Sequence, residues 1–364
     1  MTARRSIPAF LRRTQINGIV RTAELDKNYM LVSRWFPGRS VATDEFESLV
    51  WVDQVRLAPF VDIDAQTPLM DDDIFGSYVW RVAYMRFKKR FLESDLRILM
   101  EPGVSDPNSL VAANAAAAEA KIRRYIDALS QSIDAREEWM AASALGGALA
   151  YDDSNVQYSV TYNGFKIGAN RVVPTVLWSD ASAPIIADIS AVIEDLAEET
   201  GIESWAGLAS RRVMANMSRN TDIKENWNVL TNNPAFTAVA ALNPAGGVTA
   251  SQQLAQATNI VGLTEIIPYN AEYTTQVRQA ARVGSPLIST FRFLADTDFF
   301  LLPADRPLGS TPTAPAQPNN WQPGKFGWSV RKEDPWVIEA GAGKYSFIDF
   351  PGTMHNSLAQ MRVL

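Results

Sequence analysis

The chain has 364 residues, with 34 Lys and Arg against 40 Asp and Glu for a net charge of −6, one His and no Cys. Its 47% hydrophobic and 20% charged residues are the composition of a folded protein, and the acidic balance argues against coating nucleic acid by bulk positive charge. Without Cys there are no disulfides, thiolate nucleophiles or Cys-based metal centres, and the single histidine, His355, rules out two-histidine metal motifs.

By length, about two domains are expected, or one domain with large extensions. Residues 1–45 read as an N-terminal arm. As far as Thr43 it carries Arg4, Arg5, Arg12, Arg13, Arg21, Lys27, Arg34 and Arg39 against Glu24 and Asp26, a net +6 that leaves −12 for the remainder. A basic arm on an acidic body touches nucleic acid or the acidic face of a neighbouring subunit, or else is a solvated terminus. Its arginines stand where a secretion signal needs an apolar run. The longest apolar stretch, Ala141–Ala150, is about half the ~20 residues of a membrane-spanning helix, so no membrane partner is expected.

Residues 46–92 read as a long β-hairpin with a wide tip. Its first limb runs Glu47–Asp64 and its second, with YVWRVAYMRF, runs Ile74–Phe91, alternating apolar with polar or cationic residues. Charge is sorted along it: Asp62, Asp64, Asp71, Asp72 and Asp73 sit around the tip, then Arg81, Arg86, Lys88, Lys89 and Arg90 follow with no acid between them. A calcium loop needs fixed short ligand spacing and a turn glycine. The spacing here is irregular and Gly76 lies beyond the run, so the tip reads as solvated or inter-subunit, with no metal. An isolated hairpin is marginal in water, and this one is expected to lie on another subunit.

Asp106 as cap and Pro107 at the first helical position open a run of helix formers that ends at Gly146-Gly147. Ile122, Ile126, Leu129, Ile133 and Met140 recur at helical spacing. A helix over Pro107–Leu145 would be about 58 Å long. A compact chain of this length is only about 53 Å across, so a flat or elongated subunit, or a bent core helix, is expected. A strand follows at Val156–Tyr162, with a turn at Asn163-Gly164. Helices are expected over Pro184–Thr200, Trp205–Met217 and Ile223–Leu230, and strands over Leu263–Tyr269 and Phe299–Leu302. Gly309–Gly324 is too rich in proline for regular structure and is expected as an exposed loop. Two last strands are expected over Lys344–Asp349 and Ser357–Leu364. The whole is α+β.

No nucleotide-binding, zinc-protease or nucleophile-elbow motif occurs. Glu137 and Glu138 are adjacent and point in different directions on a helix, so they read as solvated or salt-bridged. His355 has no nucleophile or orienting partner to nominate and reads as structural or exposed. Neither a catalytic residue nor a cofactor site is expected.

The order of parts resembles the major capsid protein of tailed bacteriophages, of the lambda-type capsid family with the Hong Kong 97-type fold. The likeness is carried by REEWMAASALGGALAYDD (Arg136–Asp153), FKIGANRV (Phe165–Val172), LWSDASAPIIADISAVIEDL (Leu177–Leu196), SRRVMANMSRNTDI (Ser210–Ile223) and FFLLPADRPLG (Phe299–Gly309). FKIGANRV resembles a strand of that family, and the Pro-rich stretch after Gly309 resembles an insertion.

The resemblance implies an arm over 1–45 that crosses a neighbour, an extended loop over 46–92, and a peripheral domain over 93–184 whose spine helix is 107–145. An axial domain over 185–343 and C-terminal strands over 344–364 complete the scheme. It implies pentamers and hexamers assembling into an icosahedral shell around double-stranded DNA, without enzymatic activity. Scaffold, portal and decoration proteins are the further partners it allows. The virion is the implied location, after synthesis in the host cytoplasm. Inter-subunit contacts are expected at the Asp62–Asp73 tip, at Arg81, Arg86, Lys88, Lys89 and Arg90, and through Arg4, Arg5, Arg12 and Arg13. Two other readings are an encapsulin-like cellular shell and, from another class, a cofactor-free hydrolase or carbohydrate-binding protein.

Overall fold

A computed structural model describes residues 13–22, 29–51, 75–92, 107–153, 156–162, 164, 166–224, 263–276, 288–332 and 337–364. Helices α1 (Arg13–Thr22) and α2 (Leu31–Trp35) precede β1 (Gly38–Ser40), the antiparallel pair β2 (Glu45–Trp51) and β3 (Phe75–Arg81), and β4 (Ala83–Leu92). Helix α3 (Pro107–Leu145) leads into the hairpin of β5 (Ala148–Asp153) and β6 (Val156–Thr161). Then come α4 (Ile185–Thr200), β7 (Trp205–Ala209), α5 (Arg211–Arg219), β8 (Glu265–Pro268), β9 (Glu272–Gln276), β10 (Ile288–Arg292) and β11 (Asp298–Pro303). The chain closes with β12 (Thr311–Thr313), β13 (Pro315–Ala316), β14 (Gln322–Pro323), β15 (Phe326–Lys332), β16 (Val337–Ser346) and β17 (Ala359–Arg362).

Helix α3 has the bounds its sequence signals set, 39 residues from Pro107 to the glycine pair. Its stripe of Ile122, Ile126, Leu129 and Ile133 is buried against Ile338, Ala340 and Ala342 of β16, with Ile16 and Val20 of α1 and Phe91 closing the edges. Each such aliphatic side chain contributes about 1.5–3 kcal/mol on burial. The alternating alanines of β16 lack bulk, so the helix can lie close to the strand. On its two sides β16 pairs antiparallel with β4, Val337–Ser346 against Leu92–Ala83, and with β15, Val337–Gly343 against Lys332–Phe326.

A second sheet has the order β17-β11-β7-β8, antiparallel except for β7 with β8. Its apolar face packs on α4 through Ile185, Ile189, Val192 and Leu196, and on α5 through Val213 and Met217. Gly201 ends α4 in the left-handed conformation (φ 66°), donating its N–H to the Ala197 carbonyl, a conformation glycine adopts without the Cβ penalty. A third cluster, with Trp35, Phe36, Phe300, Phe347 and Phe350 all buried, joins the two layers. Among the described residues no helix is long and apolar enough to cross a membrane.

The fold departs from the sequence reading at several places. The second limb of the expected hairpin is two strands: β3 pairs β2, the run breaks at Val82, and β4 pairs β16 in the body. Trp205–Ala209 is a fully buried strand, and only after Ser210 does the chain turn helical. Of the helix expected over Ile223–Leu230, residues past 224 lie outside the described set. Gly309–Gly324 is not an exposed loop throughout: Thr311–Thr313 is a buried strand with Ala314 and Ala316 buried beside it. Within the segment likened to a strand, the described residues Lys166–Val172 hold one 3-10 turn, Gly168–Asn170, with isolated bridges from Lys166 to Ala359 and from Val172 to Met361. Finally, β15 and most of β16, inside the span 185–343, belong to the sheet on α3, so that span is divided between two sheets.

Candidate assembly surface

Strand pairing decides which charges meet. Residues opposite one another in an antiparallel pair share a face, so Arg90, Glu339 and Val330 form one row, and Lys88, Gly341 and Trp328 the next. The opposite face carries Ile338, Ala340 and Ala342 and is covered by α3. On the uncovered face Glu339 accepts hydrogen bonds from Lys88 Nζ at 2.9 Å, Arg90 Nη2 at 3.1 Å and Lys332 Nζ at 3.2 Å. Glu339 is buried while all three cations are more than half exposed. Those hydrogen bonds, Lys88 foremost and then Lys332, outweigh desolvation and hold its carboxyl well below the usual range, to about 2. One permanent anion beneath three cations leaves this face positive.

Arg86 extends the patch, its guanidinium 5.0 Å from the Tyr345 ring centre. Gly341 makes room for the pattern: a Cβ there would stand 2.6 Å from Trp328 Cε2. Lys89 points the other way, 5.1 Å from the Tyr125 ring on α3. Arg81, exposed at the end of β3, lies 5.8 Å from the Tyr84 ring, and the Tyr84 hydroxyl donates to Asp44.

The C-terminal turns of α3 carry a second set of charges, turned inward. Asp134 meets Lys325 at 2.6 Å, and its carboxyl is pushed up, burial outweighing the lysine. Glu137 meets Lys344 at 2.6 Å and accepts from the Ser346 hydroxyl. Glu138 is fully buried; it accepts from the backbone N–H groups of Leu31 at 3.0 Å and Val32 at 3.1 Å and from the Tyr269 hydroxyl at 2.8 Å. Burial raises its pKa despite those donors. Glu137 is thus salt-bridged as expected, but neither glutamate is solvated.

The described part of the arm is held by its own body. Arg21 donates to Asn319 Oδ1 at 2.7 Å and Gln322 Oε1 at 3.2 Å, Arg34 pairs with Glu265, and Arg39 approaches Asp349 at 3.8 Å. Arg13 begins α1. Arg4, Arg5 and Arg12 of the arm, and Asp62, Asp64, Asp71, Asp72 and Asp73 of the tip, lie outside the described residues. The structure therefore brings Arg86, Lys88 and Arg90 together and separates Lys89 from them. Sequence reasoning missed Lys332 and Glu339, whose signal was the alternation of β15 and β16 over the charged segment 330–339. His355 is structural: Nε2 is 3.0 Å from the Phe350 carbonyl, and the ring packs on Phe350 and Tyr162. Among the described residues no group of carboxylates or histidine could hold a metal.

A family model described as phage major capsid protein E matches residues 20–282. Among solved structures, the chain is similar to a protein assigned as the capsid protein of a prophage of E. coli CFT073. Identity is 14%, with 97% of this chain and 99% of that one covered and a TM-score of 0.55. A phage-related protein of Bordetella bronchiseptica RB50 matches at 11% identity, with 95% of each chain covered and a TM-score of 0.48. The virus-like particle of Pyrococcus furiosus matches at 7%, with 96% and 97% covered and a TM-score of 0.43. No curated protein sequence matches the chain.

Proposed function

The chain belongs to the phage major capsid protein E family and has the α+β, Hong Kong 97-type capsid fold, and on that premise we propose that its copies assemble as pentamers and hexamers into an icosahedral shell around double-stranded DNA. The family match over residues 20–282 carries this reading. The peripheral domain is then the β4-β16-β15 sheet with α3, and the axial domain the β17-β11-β7-β8 sheet with α4 and α5. Shell building needs positioned surfaces and no chemistry, in keeping with a family that is structural.

The positive face of Arg86, Lys88, Arg90 and Lys332 receives the acidic tip of an adjacent copy, Asp62, Asp64 and Asp71–Asp73, since complementary patches steer and orient association. Arg4, Arg5, Arg12 and Arg13 add contacts from the arm to a neighbour, and packaged DNA meets the shell without sequence preference. Scaffold, portal and decoration proteins would be partners of the assembled form, which resides in the virion after synthesis in the host cytoplasm.

Negative-stain electron microscopy with light scattering on the purified chain tests the reading. Closed shells, or rings of five and six copies, are expected. A small oligomer that binds a saturable ligand at a carboxylate site would overturn it in favour of an enzyme or a carbohydrate-binding protein. Shells that co-purify with protein cargo instead of DNA would point to an encapsulin-like compartment.

A further inference from the structure

Charge is sorted along the second sheet's helices as sharply as along the hairpin. Residues 172–210 hold seven acids and no Lys or Arg, and residues 211–219 hold three Arg and no acid. Helix α4 carries the acids toward its C-terminal end. Glu194, Asp195, Glu198 and Glu199 are exposed on the side away from the buried Ile189, Val192 and Leu196, and Glu203 is exposed just beyond. Glu194 and Glu198 are four residues apart, as are Asp195 and Glu199, so like charges face one another along the helix and repel. The last turn holds no basic residue, although the C-terminal end of a helix dipole favours cations. Helix α5 is the converse. It opens with Arg211 and Arg212, both exposed, and its first turn holds no acid, although that end of the dipole favours anions. Each helix thus carries its charge at the end where its own backbone disfavours it.

Little within the subunit offsets either set. Lys166 pairs with Asp195, and Asn356 donates to Glu199 at 3.1 Å. Arg212 stands 3.9 Å from Asp296, whose carboxylate Arg292 already engages at 3.1 Å. Among the described residues no ion pair reaches Glu194, Glu198, Glu203 or Arg211. The two helices touch at their other ends. The Asn220 side chain, at the end of α5, donates to the Ala183 carbonyl at 2.8 Å, and Thr221 N–H donates to that of Ala181 at 2.8 Å, just before α4 begins. Between the acidic end of α4 and the basic start of α5 runs β7, five residues or about 17 Å of extended chain.

A chain that closes into a ring uses heterologous contacts, in which one surface of a copy meets a different surface of the next. Two exposed helix ends of opposite charge on one subunit are complementary halves of such a contact. We propose that the acidic end of α4 in one copy, with Glu194, Glu198, Glu199 and Glu203, meets the basic start of α5, with Arg211 and Arg212, in the next copy of a ring. The arrangement sets the negative end of one helix dipole before the positive end of another, so the dipoles add to the attraction between side chains. The proposal rests on the capsid reading above and lies on a different sheet from the patch of Arg86, Lys88, Arg90 and Lys332.

Charge reversal on the full-length chain tests it. Glu194→Lys with Glu198→Lys removes the repulsion along α4, and Arg211→Glu with Arg212→Glu suits the α5 dipole, so either subunit should melt no lower than the parent. The concentration each needs for assembly should nevertheless rise about tenfold or more, because like charges now face one another across the contact. A chain bearing all four changes restores opposite charges and should assemble at a concentration near the parent's. Unchanged assembly in both pairs, or a fourfold variant no better than either pair, overturns the proposal; an effect of the arginine pair alone would assign those arginines to another partner. The second measurement uses the absence of Cys from the chain. Glu198→Cys together with Arg211→Cys, treated in assembled shells with a short bismaleimide, should give a denaturing-gel ladder reaching five and six linked copies. Bonds only within one copy, products that stop at the dimer, or no product in well-formed shells overturn the contact and leave the capsid reading intact. Failure of the unmodified chain to form rings or shells under any condition overturns both.

Discussion

Glu339 and Glu138 are two buried glutamates displaced in opposite directions, and the difference lies in what surrounds them. Three cations pull Glu339 down to about 2 from its ordinary 4.5. A group whose folded pKa is depressed stabilises the fold fully above its unfolded value and ceases to do so as pH falls through the folded one. Glu339→Gln should therefore melt below the parent at neutral pH, with the gap closing between about pH 4.5 and pH 2; a gap constant over that range would deny the cluster its role. Among the described residues Glu138 has dipoles for partners and no cation, so burial dominates and its pKa is raised. The sign reverses: its ionisation penalises the fold at neutral pH, and stability from this group rises as pH falls through the raised value toward 4.5. Truncating it is still costly. Glu138→Ala would leave the buried Leu31 amide, the partly buried Val32 amide and the Tyr269 hydroxyl without their acceptor, a loss on the order of 3 kcal/mol. Thermal denaturation would measure it, and faster hydrogen exchange at Leu31 and Val32 would locate it. None of this was legible in the sequence. Two adjacent glutamates on a helix look solvated until one knows that β16 lies against one and α2 against the other.

At the scale of the element, local signals served well where they were redundant. Helix α3 had a proline at its start, two glycines at its end and a continuous apolar stripe between, and its bounds agree with the structure. The segment Trp205–Met217 had apolar periodicity alone. Its first five residues are buried on all sides between β11 and β8, so tertiary pairing overrides helix propensity there. The stop was nevertheless written in the sequence, because Ser210 caps α5 by accepting from Val213 N–H at 3.2 Å. Its hydroxyl also donates to the Asp296 carbonyl at 2.8 Å, tying the cap to the loop before β11. Ser210→Ala should lower stability by about 1–2 kcal/mol in chemical denaturation, with Ser210→Thr retaining most of it. A variant as stable as the parent would mean that the cap bond is dispensable.

For the whole molecule, the order of parts was readable and the partnership of strands was not. The paired strands β2 and β3, the long helix and the later strands follow one another as the sequence indicates. No periodicity, however, says that β4 leaves the hairpin to pair with a strand some 250 residues away, because alternation sets a face and not a partner. That pairing converts a row of cations along one limb into a patch on a sheet, the patch on which the proposed contact with a neighbouring copy rests. Replacing Asp71, Asp72 and Asp73 together by Asn should raise the concentration needed for assembly, most at low salt where exposed charges are least screened. Indifference of assembly to the triple change at several salt concentrations would rule out the tip as partner of that patch.

The three carboxylates near the end of α3 have one more consequence. Asp134, Glu137 and Glu138 lie within little more than one turn, yet each grips a different element: Lys325 ahead of β15, Lys344 on β16, and the start of α2. Rolling the helix by one residue, about 100°, would break all three grips together, so this end is fixed in rotation. The stripe from Ile122 to Ile133 is packed on β16 and α1, and beyond it the helix extends a further 15 residues, about 22 Å, to Pro107. A tilt of the packed part by about 5° would carry the far end through about 2 Å. An adjustment of the sheet beneath α3 would thus be read out at Pro107.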